Sequence, residues 1–327
     1  MRLSNVPNSK TDSRMRSRDP RTQDILTRKA IGRGPIIAFV IGLLLLPLLF
    51  GSVKITGAHA DRTTLPPKLS TLVCVISGEE LRELSMDAVV IVEGGKLLAP
   101  FKEYDEADQQ RFAKEYFREG QKYRLTFGGG EVGVATVQKS GQGCNNIHAK
   151  VMVETSAKIH EHVMALATNS ESLGRQPSAR RAPTDPERAA VMELVKKIYL
   201  QRGVTTLLYR SLKVTNLTAI DLDRDGKYEM VGSFTLASKN KFERDLFLIA
   251  APQGARMRAD YVGFQAYQPP AEGFLSSIDF VDTLELDGDG IGEVFAIQGG
   301  FDAYGYLIYK KQAGRWHKVY HMIGDAC

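Results

Sequence analysis

The sequence predicts a mainly β protein with a few helices, in which two β-rich domains follow a segment that enters a membrane. Short apolar segments with period-two alternation recur between turn residues, which is typical of half-buried strands. In the C-terminal half the same order of strands occurs twice, with equivalent residues at positions 221 and 285. Both observations indicate sheets as the main elements.

Composition divides the chain into four regions. Residues 1–60 are a basic stretch with the membrane-entering segment, and residues 61–167 are a small β-rich domain with one helix. Ser, Pro, Arg and Gly replace the apolar periodicity over residues 168–184, which we interpret as a linker. Residues 185–327 contain a helix and the two β-repeats.

The leader predicts export. Residues 36–53 carry no charge, follow a basic stretch and precede Ala58-His59-Ala60, a pattern that signal peptidase cuts. Both a retained N-terminal transmembrane anchor and release after cleavage near Ala60 agree with this sequence. In either case the positive-inside rule places the later domains in the periplasm or on the cell surface.

The positive charge of the chain belongs to this leader. The formal net charge is +5, yet residues 1–60 hold ten of the 43 basic and three of the 38 acidic residues. The remaining 33 basic and 35 acidic residues leave the exported part slightly acidic. We therefore predict no nucleic-acid partner.

In the first domain we predict a helix over about residues 107–119, with Phe112 and Tyr116 facing the core and Gly120 as its stop. The predicted strands are residues 88–92, 123–127, 134–137 and 151–153. Gly128, Gly130 and Gly133 satisfy G-x-G-x-x-G, but a strand follows instead of a helix, so we interpret them as a hairpin turn.

Three cysteines would lie outside the membrane: Cys74, Cys144 and Cys327. An oxidising compartment favours a disulfide. We predict Cys74 with Cys144, because both fall in the same predicted domain. The alternative is three free or buried thiols.

In the second domain, Thr184 and Glu187 form a capping box that begins a helix ending near Gln201, before Gly203. Two acidic loops follow. They read Asp221-Leu-Asp223-Arg-Asp225-Gly226-Lys-Tyr-Glu229 and Glu285-Leu-Asp287-Gly-Asp289-Gly290-Ile-Gly-Glu293.

These loops predict Ca²⁺, which prefers six to eight oxygen ligands. We assign side-chain oxygens from positions one, three, five and nine, and a backbone carbonyl from position seven. The predicted ligands are Asp221, Asp223, Asp225, Lys227 and Glu229 in the first loop, and Glu285, Asp287, Asp289, Ile291 and Glu293 in the second. An EF-hand is excluded, because Gly232 and Ala296 stand at the twelfth positions and the flanks are β-rich. The alternative is a pair of polar turns in which Asp side chains bind their own backbone.

Residues ~214–323 resemble the calcium loops of FG-GAP and VCBS-type repeats, the integrin-like β-propeller blades, through the pattern D-x-D-x-D-G-x-x-D/E. The second loop departs from it at Glu285. The resemblance implies two blade-like four-stranded meanders with bound calcium. Since closed propellers need about four or more blades, we expect two packed sheets or a partial array completed by other parts of the chain. Residues 61–167 resemble no family.

No nucleophile elbow, Cys/His pair or phosphate loop is present, so the sequence identifies no catalytic residue. Tyr304, Tyr306, Tyr309 and Trp316 crowd the last repeat, where packing is a more common role than sugar stacking. The sequence thus indicates an extracytoplasmic, calcium-stabilised binding or scaffold protein with an unknown protein or glycan partner. The alternative is an exported enzyme whose calcium is only structural.

Overall fold

The computed structural model describes residues 69–78, 84–159, 164–237, 243–267, 275–300 and 303–326. Residues 64–327 form one compact unit. The described residues are mainly β, as predicted, with 16 strands and three helices. Among them no helix has the length and apolar character needed to span a bilayer. The predicted membrane segment, residues 36–53, lies outside the described part of the chain.

Residues 71–168 contain a closed antiparallel barrel. Its elements are β1 (Thr71–Ser77), β2 (Leu84–Glu93), β3 (Lys96–Leu98), α1 (Glu106–Tyr116), β4 (Lys122–Phe127), β5 (Gly130–Gln142), β6 (Ile147–Thr155) and β7 (Ala165–Thr168). The order is β1-β7-β4-β5-β6-β2, and the sheet closes because β1 pairs with β2 as well as with β7. β3 extends β2 as a hairpin. Closure leaves these six strands without an unpaired edge.

Strand alternation decides what fills the barrel. On β1, Leu72, Cys74 and Ile76 point into the barrel core, whereas Val73 and Val75 pack outside it. Helix α1 adds buried side chains to the same core, among them the predicted Phe112 and Tyr116. The helix ends earlier than predicted, at Tyr116, and Gly120 follows with φ +78°.

The predicted Cys74–Cys144 disulfide is wrong. Cys144 is disulfide-bonded, whereas Cys74 is a free, fully buried thiol. The reason is the alternation on β1, which places the Cys74 side chain inside the barrel. Cys144 lies in the loop between β5 and β6, where its backbone N–H donates to Asp325 Oδ2 at 3.0 Å.

The C-terminal half contains two antiparallel sheets. Its elements are β8 (Arg180–Arg181), α2 (Asp185–Gln201), α3 (Thr206–Tyr209), β9 (Lys213–Ile220), β10 (Glu229–Ala237), β11 (Glu243–Gln253), β12 (Arg256–Tyr267), β13 (Leu275–Leu284), β14 (Glu293–Gly300), β15 (Ala303–Gln312) and β16 (Arg315–Ala326). Sheet I has the order β12-β11-β10-β9-β8, and sheet II has the order β13-β14-β15-β16. The predicted capping box is present at the start of α2, with Thr184 and Glu187 hydrogen-bonded to each other's backbone N–H.

The layers pack in the order α2, sheet I, sheet II, barrel. Sheet I buries Phe234 and Leu248 against α2, and Phe247 and Ile249 against sheet II. The opposite face of sheet II packs on the outside of the barrel, in a cluster that includes Phe295. The aromatic side chains of the last repeat largely serve these contacts. Tyr306, Tyr309 and Trp316 are buried, and Tyr304 and Tyr306 donate to Asp87 of β2.

Residues 168–184, predicted as a linker, run between the barrel and sheet I. Thr168 ends β7, and Arg180 and Arg181 form β8 beside β9. The predicted glycine hairpin is confirmed at the β4–β5 turn, where Gly128 and Gly129 have φ +63° and +71°. The linker touches this turn, since the Ala179 N–H donates to the Gly128 carbonyl at 2.8 Å.

A buried ion pair joins these parts. Arg180 Nη1 lies 3.2 Å from Oδ1 of Asp282 on β13, and Asp282 is fully buried. The Gly128 N–H donates to both Asp282 oxygens at 2.9 and 2.8 Å. The guanidinium also stacks on Phe127 of the barrel and Phe280 of sheet II. One ion pair therefore contacts the barrel turn, the linker and sheet II.

Burial makes this pair sensitive to pH. Desolvation raises the pKa of Asp282 from 3.8 to about 6, against the opposing effect of Arg180. Because the folded-state pKa of Asp282 lies above its unfolded value, its contribution to the free energy of unfolding is fully present below about pH 4. That contribution is lost as the pH rises through about 6. We expect Asp282→Asn to remove this part of the slope of unfolding free energy against pH. Denaturant titrations between pH 4 and pH 7 measure the slope.

Arg180→Met is the matched partner variant. It leaves Asp282 buried without its cation, so the pKa of Asp282 should rise further and the loss of stability should extend above pH 6. Equal slopes in wild type and both variants would show that Asp282 does not titrate in this window.

Candidate metal centres

Both acidic loops connect the first two long strands of their sheet, as predicted. The first lies between β9 and β10 in sheet I, and the second lies between β13 and β14 in sheet II. In the first loop, carboxylate oxygens of Asp221, Asp223 and Asp225 all lie within 4.8 Å of one another. In the second loop the same is true of Glu285, Asp287 and Asp289. The structure thus brings together positions one, three and five of each predicted ligand set.

Glycine permits the turn that gathers these side chains. Gly226 and Gly290, at position six of each loop, both have φ +84°, a conformation that costs a residue with a Cβ free energy. At position seven, the Lys227 N–H donates to Asp225 at 2.7 Å and the Ile291 N–H donates to Asp289 at 2.9 Å. The two loops therefore share a backbone path. The predicted carbonyl ligands of Lys227 and Ile291 stay predictions.

In each loop the buried glutamate at position nine accepts a hydrogen bond from the backbone of its own loop. Glu229 Oε2 accepts the Leu222 N–H at 3.1 Å, and Glu293 Oε2 accepts the Leu286 N–H at 2.8 Å. These glutamates are only 6 % and 2 % exposed. Burial raises the pKa of each to about 7. A nearby cation would favour their charged form.

The two loops touch each other. The Gly292 N–H of the second loop donates to the Leu222 carbonyl of the first at 2.8 Å. A cavity of about 190 Å³ lies beside this contact, lined by Asp221, Glu285, Arg224 and the Gly129 turn of the barrel. The two loops are therefore direct neighbours.

The first loop contains two carboxylate oxygens without hydrogen-bond partners among the described residues. Asp221 Oδ1 and Asp223 Oδ1 are buried, and no group of the described residues hydrogen-bonds to either. A buried acceptor without a partner costs about 1–3 kcal/mol, and more when charged. Two such oxygens within one cluster fit a metal ion with oxygen ligands. The Lys311 ammonium lies 3.7 Å from the other oxygen of Asp223.

The carboxylates of the second loop contact a lysine side chain of the protein itself. Lys310 Nζ contacts Asp287 directly and lies 3.0 Å from Asp289 Oδ2 and 3.3 Å from Glu293 Oε1. Burial alone would lower the pKa of Lys310, but the contacts with Asp287 and Asp289 outweigh it and raise that pKa. The two acidic clusters thus have the same backbone conformation but different contacts with lysine ammonium groups.

Neither lysine is among the site residues predicted from the sequence. Lys310 and Lys311 are consecutive on β15, so their side chains point to opposite faces of sheet II, one toward each loop. The available signal was a pair of adjacent basic residues in a predicted strand. That signal identifies site residues only once the fold shows that both loops lie beside β15.

No known protein-family model, curated protein or solved structure matches this chain. The resemblance to FG-GAP and VCBS-type calcium loops therefore rests on the two loops themselves.

Proposed function

We propose that this is an extracytoplasmic, calcium-stabilised binding or scaffold protein of the periplasm or cell surface. The observation that carries the proposal is the first loop, where three aspartates converge and two of their buried oxygens have no partner among the described residues. Asp221, Asp223 and Asp225 would hold the ion, with Glu229 beneath them. The second loop would form a related site, where calcium must compete with Lys310.

Calcium would act on folding. Three carboxylates within 4.8 Å repel one another, and a divalent cation converts that repulsion into attraction. An affinity of about 10⁻⁴ to 10⁻³ M would suffice outside a cell, where such sites are common. Because the loops join the strands of both sheets, the ion would stabilise the sheet pair, leaving other surfaces to bind a protein or glycan partner.

Calcium should raise the melting temperature of the full-length protein in detergent micelles. At about one hundred times its dissociation constant, a ligand stabilises the folded state by about 2.7 kcal/mol. That corresponds to roughly 5–10 °C in a unit of this size. Asp223→Asn with Asp225→Asn should abolish the binding heat of the first site and most of the shift, because both changes remove charge and keep side-chain size.

The matched control is Glu115→Gln with Glu119→Gln. These two exposed carboxylates lie on and just after α1, so the net charge changes equally while both loops stay intact. Calcium binding should match wild type. An indifferent wild-type melting temperature at millimolar calcium, with no binding heat in calorimetry, would leave the loops as ordinary turns.

The location is tested separately. If residues 36–53 direct export, protease added to intact spheroplasts should digest residues 64–327 while leaving cytoplasmic proteins intact. Digestion only after lysis would place these residues inside the cell and contradict the proposed topology. A shift of the mature N-terminus to a position near Ala60 would distinguish cleavage from a retained anchor.

A further inference from the structure

The carboxylates of the second loop pair with a positive charge from outside the loop, the ammonium of Lys310. Its residues 285–293 contribute four carboxylates, and Lys310 reaches three of them from β15. The Lys310 side chain is only 18 % exposed, so the ammonium is held among these groups instead of in solvent. A cation therefore lies among the carboxylates that a calcium ion would need.

Among the described residues, no ammonium contacts several carboxylates of the first loop, although the Lys311 side chain, at 21 % exposure, is about as buried as that of Lys310. Lys311 approaches a single carboxylate oxygen, at 3.7 Å, and Lys227 pairs with Asp225 at 68 % exposure. Two buried oxygens of the first loop have no partner in the described structure, whereas Asp287 and Asp289 of the second loop are exposed carboxylates that pair with Lys310. The two loops have the same backbone conformation but differ in the cations that contact their carboxylates.

We propose that Lys310 is the resident cation of the second loop, a tethered ammonium that competes with calcium and makes the two loops unequal. The first loop then responds to calcium, whereas the second keeps its shape without the ion. This inference rests on the proposed calcium function and specifies its regulation. It predicts that the full-length protein binds one calcium ion with the affinity of about 10⁻⁴ to 10⁻³ M proposed above, and that the second loop fills only at a much higher calcium concentration.

Removing the ammonium should release the second site. Lys310→Met changes the loop from four carboxylates with one cation to four carboxylates alone. Loss of the repulsion between this ammonium and a divalent ion about 5 Å away should raise the calcium affinity of the second site more than tenfold, which corresponds to about 1.7 kcal/mol even in water. Calorimetry of the variant should show a second calcium ion, and Asp287→Asn with Asp289→Asn should remove it.

Two variants serve as controls. Lys310→Arg keeps the positive charge and should keep wild-type stoichiometry. Lys311→Met removes the same charge from the neighbouring position, which faces the first loop, and should yield no second ion. If Lys310→Met folds poorly without calcium, its melting temperature should still recover as calcium is added, and that recovery would require Asp287 and Asp289.

The outcomes separate the two proposals. Two equal calcium sites in wild type, unchanged by Lys310→Met, would overturn the role of Lys310 and leave the calcium function standing. A single ion in both wild type and Lys310→Met would also overturn it. Absence of calcium binding in every variant would instead reject the proposed function.

Discussion

Carboxylates that converge in a loop repel one another unless a cation joins them, and this constraint governs the C-terminal half of the protein. The turn glycines and the buried glutamates Glu229 and Glu293 set the backbone of each loop, and three further carboxylates of each loop lie within 4.8 Å of one another. Positive charge near either cluster reduces this repulsion. The second loop takes it from Lys310, and the first loop keeps oxygens that suit a metal ion.

The barrel determines where these loops meet. Its outer face covers sheet II, and its β4–β5 turn inserts beside the buried pair of Arg180 and Asp282. Gly128 is required there twice over. Its φ is +63°, and a Cβ would come within 2.7 Å of three atoms of Ser178 and Arg180. This close approach holds the linker and sheet II together, and both acidic loops lie at the same edge.

Local signals predicted most elements. Period-two alternation predicted the strands around both loops, and the Thr184–Glu187 pair predicted the start of α2. The strand that follows Gly133 distinguished a hairpin turn from a dinucleotide-binding site. Long-range pairing was not predictable in the same way. Closure of the barrel depends on β1 meeting both β2 and β7, and closure encloses the face of β1 on which alternation places Cys74, so the predicted disulfide is wrong. The roles of Lys310 and Lys311 likewise depend on the position of β15 between two loops.

The most direct test is a crystal structure of the protein grown with calcium, with anomalous scattering to identify the ion. We expect a peak in the first loop, with oxygens of Asp221, Asp223 and Asp225 at about 2.3–2.6 Å. We also expect the Lys310 ammonium to remain among Asp287, Asp289 and Glu293 at the same calcium concentration. A first loop that holds only water at millimolar calcium would contradict the proposed calcium site.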